Sequence, residues 1–444
     1  MKHNLFRWIF LTVFLLASLT LSLGMLIAGP SQVGANEQLS RTPVLTNRNG
    51  KWNPDILSDT ADWISDHFFL RQELISLDNL LSATLTHTSG ASDVILGNNG
   101  WLYYAPTLDD YTGQALMTER DLFCAAKNLD LMEEYCQNRG QKFVFLIAPN
   151  KNSLYPAQMP AYTTASPNRN AQRLFARLDA QKTAYIDLFS LFQAQTEVLY
   201  FTHDSHWNSR GAALGADAIN AAFDRTSSYF TGDFSAVAAH RGDLYEMLYP
   251  AFQDPEHNPV YGGTLDFTYA GSATAPDSIT LLTESDGEGT LLAYRDSFGN
   301  LLYPYLADSF SSARFSRSVS YDLTEPADCV LIELVERNLP YLIANLPVMP
   351  SPQREVTLPE TVSGTVKLTA SEKAPEGYIR LTGALPQTPD ADSCVYVSCA
   401  GTVYEAFLTE SDGFGVYVPA DTPAETLAFC GNGQFLLYQI QMTP

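Results

Sequence analysis

Two short segments carry the residue types that could do chemistry together. The first, Phe201-Thr202-His203-Asp204-Ser205-His206-Trp207-Asn208, offers a carboxylate and an imidazole two positions apart. The second, Tyr294-Arg295-Asp296-Ser297-Phe298-Gly299-Asn300, offers a hydroxyl about ninety positions further on. A serine hydroxyl is a poor nucleophile at neutral pH. It becomes a good one when an imidazole takes its proton and a carboxylate orients that imidazole. In an extended segment, residues i and i+2 face the same side. Asp204 can therefore accept from one ring nitrogen of His206 and leave the other for Ser297. The same strings admit plainer readings. Asp296-Ser297 suits the cap of a helix, and so does Asn208-Ser209. His203, Asp204 and His206 are metal-ligand types, with His240 and His257 as further candidates. No HExxH is present, and no metal is expected.

The elements that must position these residues alternate. Asp121 to Asn138 has helical apolar spacing, and Lys142 to Ala148 is a continuous apolar run that reads as a buried strand. Ala171 to Ala180 reads as a helix, Thr183 to Leu188 as a short strand, and Val198 to Thr202 as a strand end. Gly211 to Phe223 is Ala-rich and helical. Thr290 to Tyr294 reads as a strand, Phe298 to Phe310 as a helix and Cys329 to Val335 as a strand. This pattern predicts an α/β fold with a mostly parallel sheet, whose strand exits are where such folds place chemistry. Upstream, Pro54 to Leu85 is helical in spacing, and Val94 to Tyr104 reads as a hairpin around Asn98-Asn99-Gly100. Past Val348 the texture changes to short alternating runs separated by Gly, Pro and Asp. This predicts a small β-sandwich over 355–444. Removing it is expected to spare turnover and to weaken polymer association.

The 444 residues are 45% apolar and 12% aromatic, enough for two or three domains with large cores. A formal charge of −23 excludes nucleic acid as a partner for the body and suits a neutral or weakly charged substrate. Trp8 to Gly29 runs without a charge, behind Lys2 and Arg7. A helix rising about 1.5 Å per residue would cross a hydrocarbon core of roughly 30 Å with this stretch. The flanking cations leave Met1 cytoplasmic and the bulk outside. Residues 1–29 are therefore an N-terminal membrane anchor, or a signal peptide cleaved near Val33-Gly34-Ala35, with 30–53 a tether and 54–347 the α/β domain. Of the six cysteines, Cys124 and Cys136 are too far apart along one helix to bridge. One bridge among Cys394, Cys399 and Cys430 is expected. No cofactor is indicated.

Phe201 to Gly211, with its Asp-x-His-Trp-Asn-x-x-Gly, resembles the DHHW family of bacterial envelope proteins. It also resembles the alginate O-acetyltransferase (AlgX/AlgJ-like) branch of the SGNH/GDSL hydrolase superfamily. Further strings match in order. They are Val94 to Tyr104, Ala148-Pro149-Asn150-Lys151 with Tyr155-Pro156, Gly242-Asp243-Leu244, Arg295-Asp296-Ser297-Phe298, and Glu333 with Glu336-Arg337-Asn338. Two positions depart: Ser205 stands for the middle His of DHHW, and Arg295 for the Gly that precedes Asp-Ser. The resemblance implies a flavodoxin-like, SGNH-type α/β/α sandwich and a triad of Ser297, His206 and Asp204. Asn150 is a candidate oxyanion donor. Arg295, Phe298 and Trp207 are candidates for shaping the oxyanion or substrate site. The expected function is O-acylation, with acetyl as the group, of a cell-envelope or secreted polysaccharide through an acyl-serine. The donor would be delivered by a multi-pass membrane O-acyltransferase. The alternatives are a carbohydrate esterase with the same triad, and a non-catalytic glycan-binding envelope protein. A separation of Ser297 and His206 beyond hydrogen-bond reach would favour the last.

Overall fold

Lys142–Ala148 buries every residue but the first, as a strand covered on both faces must. A computed structural model describes residues 2–29, 39–47 and 50–443 of the chain. In it this strand lies inside a seven-stranded sheet. The order is Tyr185–Ile186, Lys142–Ala148, Cys329–Val335, Thr290–Tyr294, Ser312–Ser316, Thr280–Ser285, Phe267–Tyr269. The first five are mutually parallel and the last two are joined by antiparallel pairings, so the sheet is mostly parallel, as the alternation predicts.

Side chains alternate across a strand, and here the alternation divides two cores. Phe143, Phe145 and Ile147 point with Val330 and Ile332 to one side, where the helices Glu119–Asn138 and Asn170–Gln181 pack. Val144, Leu146 and Ala148 point with Leu331 and Ala293 to the other, where Ser209–Ala222 and Gly299–Ser309 pack. The result is an α/β/α sandwich with SGNH-like organisation.

The C-terminal residues form the expected β domain. Its eight strands make a single hydrogen-bonded sheet from Thr402–Glu405 at one edge to Phe407–Leu408 at the other. The sheet curls until Thr402–Glu405 touches Gly413–Pro419, near the opposite edge, so it is almost closed. Its interior is continuous with the α/β domain: Val395, Phe407, Phe414 and Phe429 share one core with Leu122, Leu129 and Met132. At that seam Asn128, fully buried, donates to the carbonyls of Leu342 (3.1 Å) and Leu408 (2.7 Å) and accepts from the Leu408 N–H (2.9 Å). The expected disulfide is absent: all six cysteines are free. The strand ladder begins at Val395, just after Cys394, and Ser393 Oγ takes the Cys430 N–H (2.8 Å), which holds that end without a bridge.

At the other end, Lys2–Ala28 is one helix, of which Leu5–Met25 is long and apolar enough to cross a membrane. Val33-Gly34-Ala35 and the rest of 30–38, with 48–49, lie outside the described residues of the expected tether. The helical stretch 54–85 breaks into Ile56–His67 and Arg71–Leu85, with Leu70 left-handed between them. Arg71–Leu85 is inverted in its amphipathicity. Gln72, Ser76 and Asn79 are buried, while Leu74, Leu77, Leu81 and Leu85 are exposed. The buried polar groups have work to do: Asn79 donates to Leu248 O (2.6 Å) and Ser76 Oγ accepts from the Ala251 N–H (2.9 Å).

Candidate active site

The strand Thr290–Tyr294 ends in Arg295-Asp296-Ser297, and the helix Gly299–Ser309 starts immediately after. Asp296 fixes this turn. Its Oδ1 accepts from the Phe298 N–H (2.9 Å), and its Oδ2 accepts from the Val335 N–H (2.8 Å) and Asn338 Nδ2 (2.9 Å). The carboxylate thus ties the serine turn to the exit of the neighbouring strand. Behind it sits Glu333, fully buried, whose Oε2 accepts from the Asp296 N–H (3.1 Å). Burial, reinforced by the Asp296 carboxylate, pushes the Glu333 carboxyl well above its ordinary range.

The other segment is a tight loop. Tyr200 and Trp207 bridge across it, and the Phe201 N–H donates to His206 O (3.2 Å). Asn208 then caps the next helix, its Oδ1 accepting from the N–H groups of Arg210 (3.0 Å) and Gly211 (3.1 Å). Gly211 is required by close approach, since a Cβ there would lie 2.5 Å from Leu199 O and 2.9 Å from Trp207 Cβ. Trp207, fully buried, donates its indole N–H to Phe298 O (3.0 Å) and so joins the two segments. Lys151 braces the loop from below. Its ammonium donates to the carbonyls of Leu102 (2.6 Å), Thr202 (2.7 Å) and Asp204 (2.9 Å). Burial pulls this ammonium down to about 7 against the pull of Glu256, Asp204 and Asp243.

Between these supports runs an unbroken line. Ser297 Oγ is 2.8 Å from His206 Nε2, and His206 Nδ1 is 2.7 Å from Asp204 Oδ1. With Nδ1 protonated towards the carboxylate, Nε2 is left to accept the serine proton. Burial works against charge on His206, but the adjacent Asp204, helped by Asp243, raises the ring's pKa above its ordinary value; Arg337 opposes this. Burial likewise disfavours the Asp204 carboxylate. His206 and His240 outweigh it and hold the group well below the usual range. The arrangement can activate a hydroxyl nucleophile and hand its proton to a leaving group.

Four residues around this line were not assigned to it from the sequence, although His240 was a candidate there for a metal. His240 stacks on Phe201 (3.8 Å between centroids) and its Nε2 lies 2.8 Å from Asp204 Oδ2, so the carboxylate is held between two imidazoles. Asp243 lies 3.6 Å from His206 Nδ1 and accepts from the Ser205 hydroxyl (2.6 Å), while its own N–H donates to Asp204 Oδ2 (3.1 Å). Burial raises its pKa, reinforced by Asp204. Arg337 lies over the rings of Tyr104 (5.3 Å) and Phe298 (5.6 Å). The signal was present for two of them, since Asp243 and Arg337 stand inside the strings Gly242-Asp243-Leu244 and Glu336-Arg337-Asn338. Ser205, which departs from DHHW, is the hydroxyl that engages Asp243.

The remaining candidates divide. Asn150 is buried just beyond Lys142–Ala148. Its N–H donates to Glu336 Oε2 (2.9 Å), its Oδ1 accepts from Arg337 (3.5 Å), and its Nδ2 has no partner. A buried amide donor without an acceptor costs about 1–3 kcal/mol. Phe298 cannot offer its backbone N–H, already given to Asp296; its ring packs 4.7 Å from His206. Trp207 shows no face to solvent. Arg295 spends its guanidinium on Asn300 Oδ1 (2.6 Å) and Pro276 O (2.6 Å), with burial pulling it down to about 10. It holds the loop around the serine turn. Asp204, His206 and Asp243 lie close enough together for a cation, yet their polar atoms are engaged in the hydrogen bonds above.

Residues 94–286 match the family model described as the SGNH hydrolase-like domain of acetyltransferase AlgX. No curated protein matches the chain. Among solved structures, Bacillus cereus PatB1 is similar at 18% identity and TM-score 0.42, covering 55% of this chain and 96% of its own. A DHHW family protein from Eubacterium siraeum is similar at 18% identity and TM-score 0.39, covering 55% and 94%. Pseudomonas aeruginosa AlgX is similar at 12% identity and TM-score 0.36, covering 78% and 94%. The matched stretch, less than half of the chain, holds His206 and Asp204, and the α/β fold brings Ser297, which lies outside it, to them.

Proposed function

We propose that this chain is an exported, membrane-tethered O-acyltransferase that moves an acetyl group to a hydroxyl of a cell-envelope or secreted polysaccharide. The observation that carries the reading is the continuous hydrogen-bonded line Ser297–His206–Asp204. A serine and histidine 2.8 Å apart favour it over a non-catalytic glycan-binding role. The family match to an acetyltransferase's domain supports acetyl as the group.

In the first step His206 Nε2 takes the Ser297 proton as Oγ attacks the acyl carbonyl. The tetrahedral oxyanion finds the unpartnered Asn150 Nδ2, and one such donor typically contributes about 3 kcal/mol. The imidazolium, held by Asp204, returns its proton to the leaving group, and an acyl-serine remains. In the second step an acceptor hydroxyl gives its proton to His206 and attacks the acyl-serine. Ser297 recovers its proton from the imidazolium as the product ester leaves. Water in place of the sugar would make the same site an esterase.

The helix Leu5–Met25 supports tethering, with Lys2 and Arg7 on the cytoplasmic side. The body would rest against the outer leaflet. Gly24 lies against the Phe69 ring, and the exposed leucines of Arg71–Leu85 follow directly. The acyl donor would come from a multi-pass membrane O-acyltransferase. The test is mass spectrometry of the purified protein incubated with an activated acetyl ester and oligosaccharides. An acetyl adduct on Ser297 that disappears as an oligosaccharide gains acetyl is the expected result. Hydrolysis without transfer would make the protein an esterase, and no adduct at all would remove the acyl-serine route.

A further inference from the structure

A cleft of about 460 Å³, within the usual range for a ligand site, reaches His203, the residue before Asp204. It opens between the hairpin 94–104, the segment 160–162, the end of the helix Arg71–Leu85 and the helix Asp243–Leu248. Its walls are Trp101, Tyr162, Tyr245 and Tyr249, with His87 and His203 among them. Tyr162 is 82% exposed, which leaves most of its ring open to a ligand. His203 stacks on Tyr245 at 5.2 Å, yet its Nδ1 is buried and has no hydrogen-bond partner.

We propose that this cleft seats the acceptor glycan and that the glycan is a neutral pyranose polymer. The inference rests on the transferase reading and narrows its substrate. Flat rings match the C–H faces of a pyranose, and an unmatched imidazole nitrogen matches a sugar hydroxyl. Among the described residues, no Asp, Glu, Lys or Arg lines the cleft. The nearest ammonium, on Lys151 behind Trp101, spends its three donors on carbonyls and has none for a ligand carboxylate. A uronate would thus bring an uncompensated charge to a body that already carries −23. The cleft is also mechanically coupled to the chemistry. His203 directly precedes Asp204, the Tyr245 N–H donates to His203 O (3.1 Å), and Lys151 bonds both the cleft residue Leu102 and Asp204.

The test is calorimetric titration of the full chain in detergent micelles with cellohexaose, chitohexaose and hexagalacturonate, for the wild type and for Tyr162→Ala, Tyr249→Ala and Ser297→Ala. At least one neutral hexasaccharide should bind and the galacturonate should not. Tyr162→Ala and Tyr249→Ala should each weaken the neutral ligand by at least about tenfold, as loss of an aromatic contact does. Tyr162 is at the surface, so that variant folds, and an unchanged melting temperature checks it. Preference for the galacturonate, absence of neutral binding up to millimolar concentration, or wild-type affinity in both tyrosine variants would overturn the proposal. Ser297→Ala should bind the neutral ligand as the wild type does. If that variant instead keeps its ester turnover, the transferase reading fails while the cleft is still judged by its titration.

Discussion

At the scale of single residues, the site is defined by what Asp204 holds. The carboxylate accepts from both histidines and from two backbone N–H groups, so it is fixed and ionised. Asp204→Asn should lower ester turnover by about 10³–10⁴-fold, because an amide cannot hold the Nδ1–H tautomer or stabilise the imidazolium. His240→Phe keeps the stack on Phe201 and removes one acceptor contact of Asp204, and should cost about tenfold in kcat. Asp243 bears on pH. General base action needs neutral His206, so turnover rises as pH passes upward through a pKa that Asp204 and Asp243 hold above the ordinary imidazole value. Asp243→Asn removes one of those two charges, and the acid limb of kcat/KM should move to lower pH. A pH–rate profile that moves upward, or stays in place, would show that Asp243 only positions Ser205.

At the scale of elements, the loops are held by close approaches and by buried acids. The Gly242 α-carbon lies against the His203 carbonyl, where a Cβ would clash with backbone. Gly242→Ala should therefore displace the loop that carries Asp204 and His206 and abolish most turnover, while far-ultraviolet circular dichroism stays native. Glu333 gives a stability prediction with a definite sign. Its folded pKa is raised, so the folded chain binds more protons than the unfolded chain above the ordinary carboxyl range, and stability falls as pH rises through that window. Glu333→Gln removes this dependence and keeps an acceptor for the Asp296 N–H. Its melting temperature relative to wild type should be higher at pH 8 than at pH 5. The reverse order would mean that Glu333 is folded as a carboxylate.

At the scale of the whole molecule, the C-terminal sheet and the α/β sandwich act as one core. Truncation after residue 354 was expected to spare turnover; the shared core argues the opposite, because removal strips cover from Leu122, Leu129 and Met132. The truncated chain should be insoluble or molten, seen as lost cooperativity in thermal unfolding. Asn128→Ala probes the same seam without deleting it. It leaves backbone groups of Leu342 and Leu408 without partners and should cost about 2–4 kcal/mol in denaturant unfolding.

The sequence alone determined the periodicities and so the alternation of strands and helices, because a buried parallel strand such as Lys142–Ala148 must be apolar throughout. It also determined that Asp204 and His206 share one side of their loop, since that relation is local. It did not reveal His240, whose ring reaches Asp204 across 36 positions, nor the buried ends of Arg295 and Trp207. It suggested a disulfide from proximity along the chain, and the folded chain leaves Cys394, Cys399 and Cys430 free. Ser297 and His206 stand 91 positions apart, and their 2.8 Å contact exists because the loop 201–208, which follows no strand of the sheet although Val198 to Thr202 was expected to be one, folds against the exit of Thr290–Tyr294. Contacts between distant segments depend on how the core packs, and packing is a property of the folded chain as a whole.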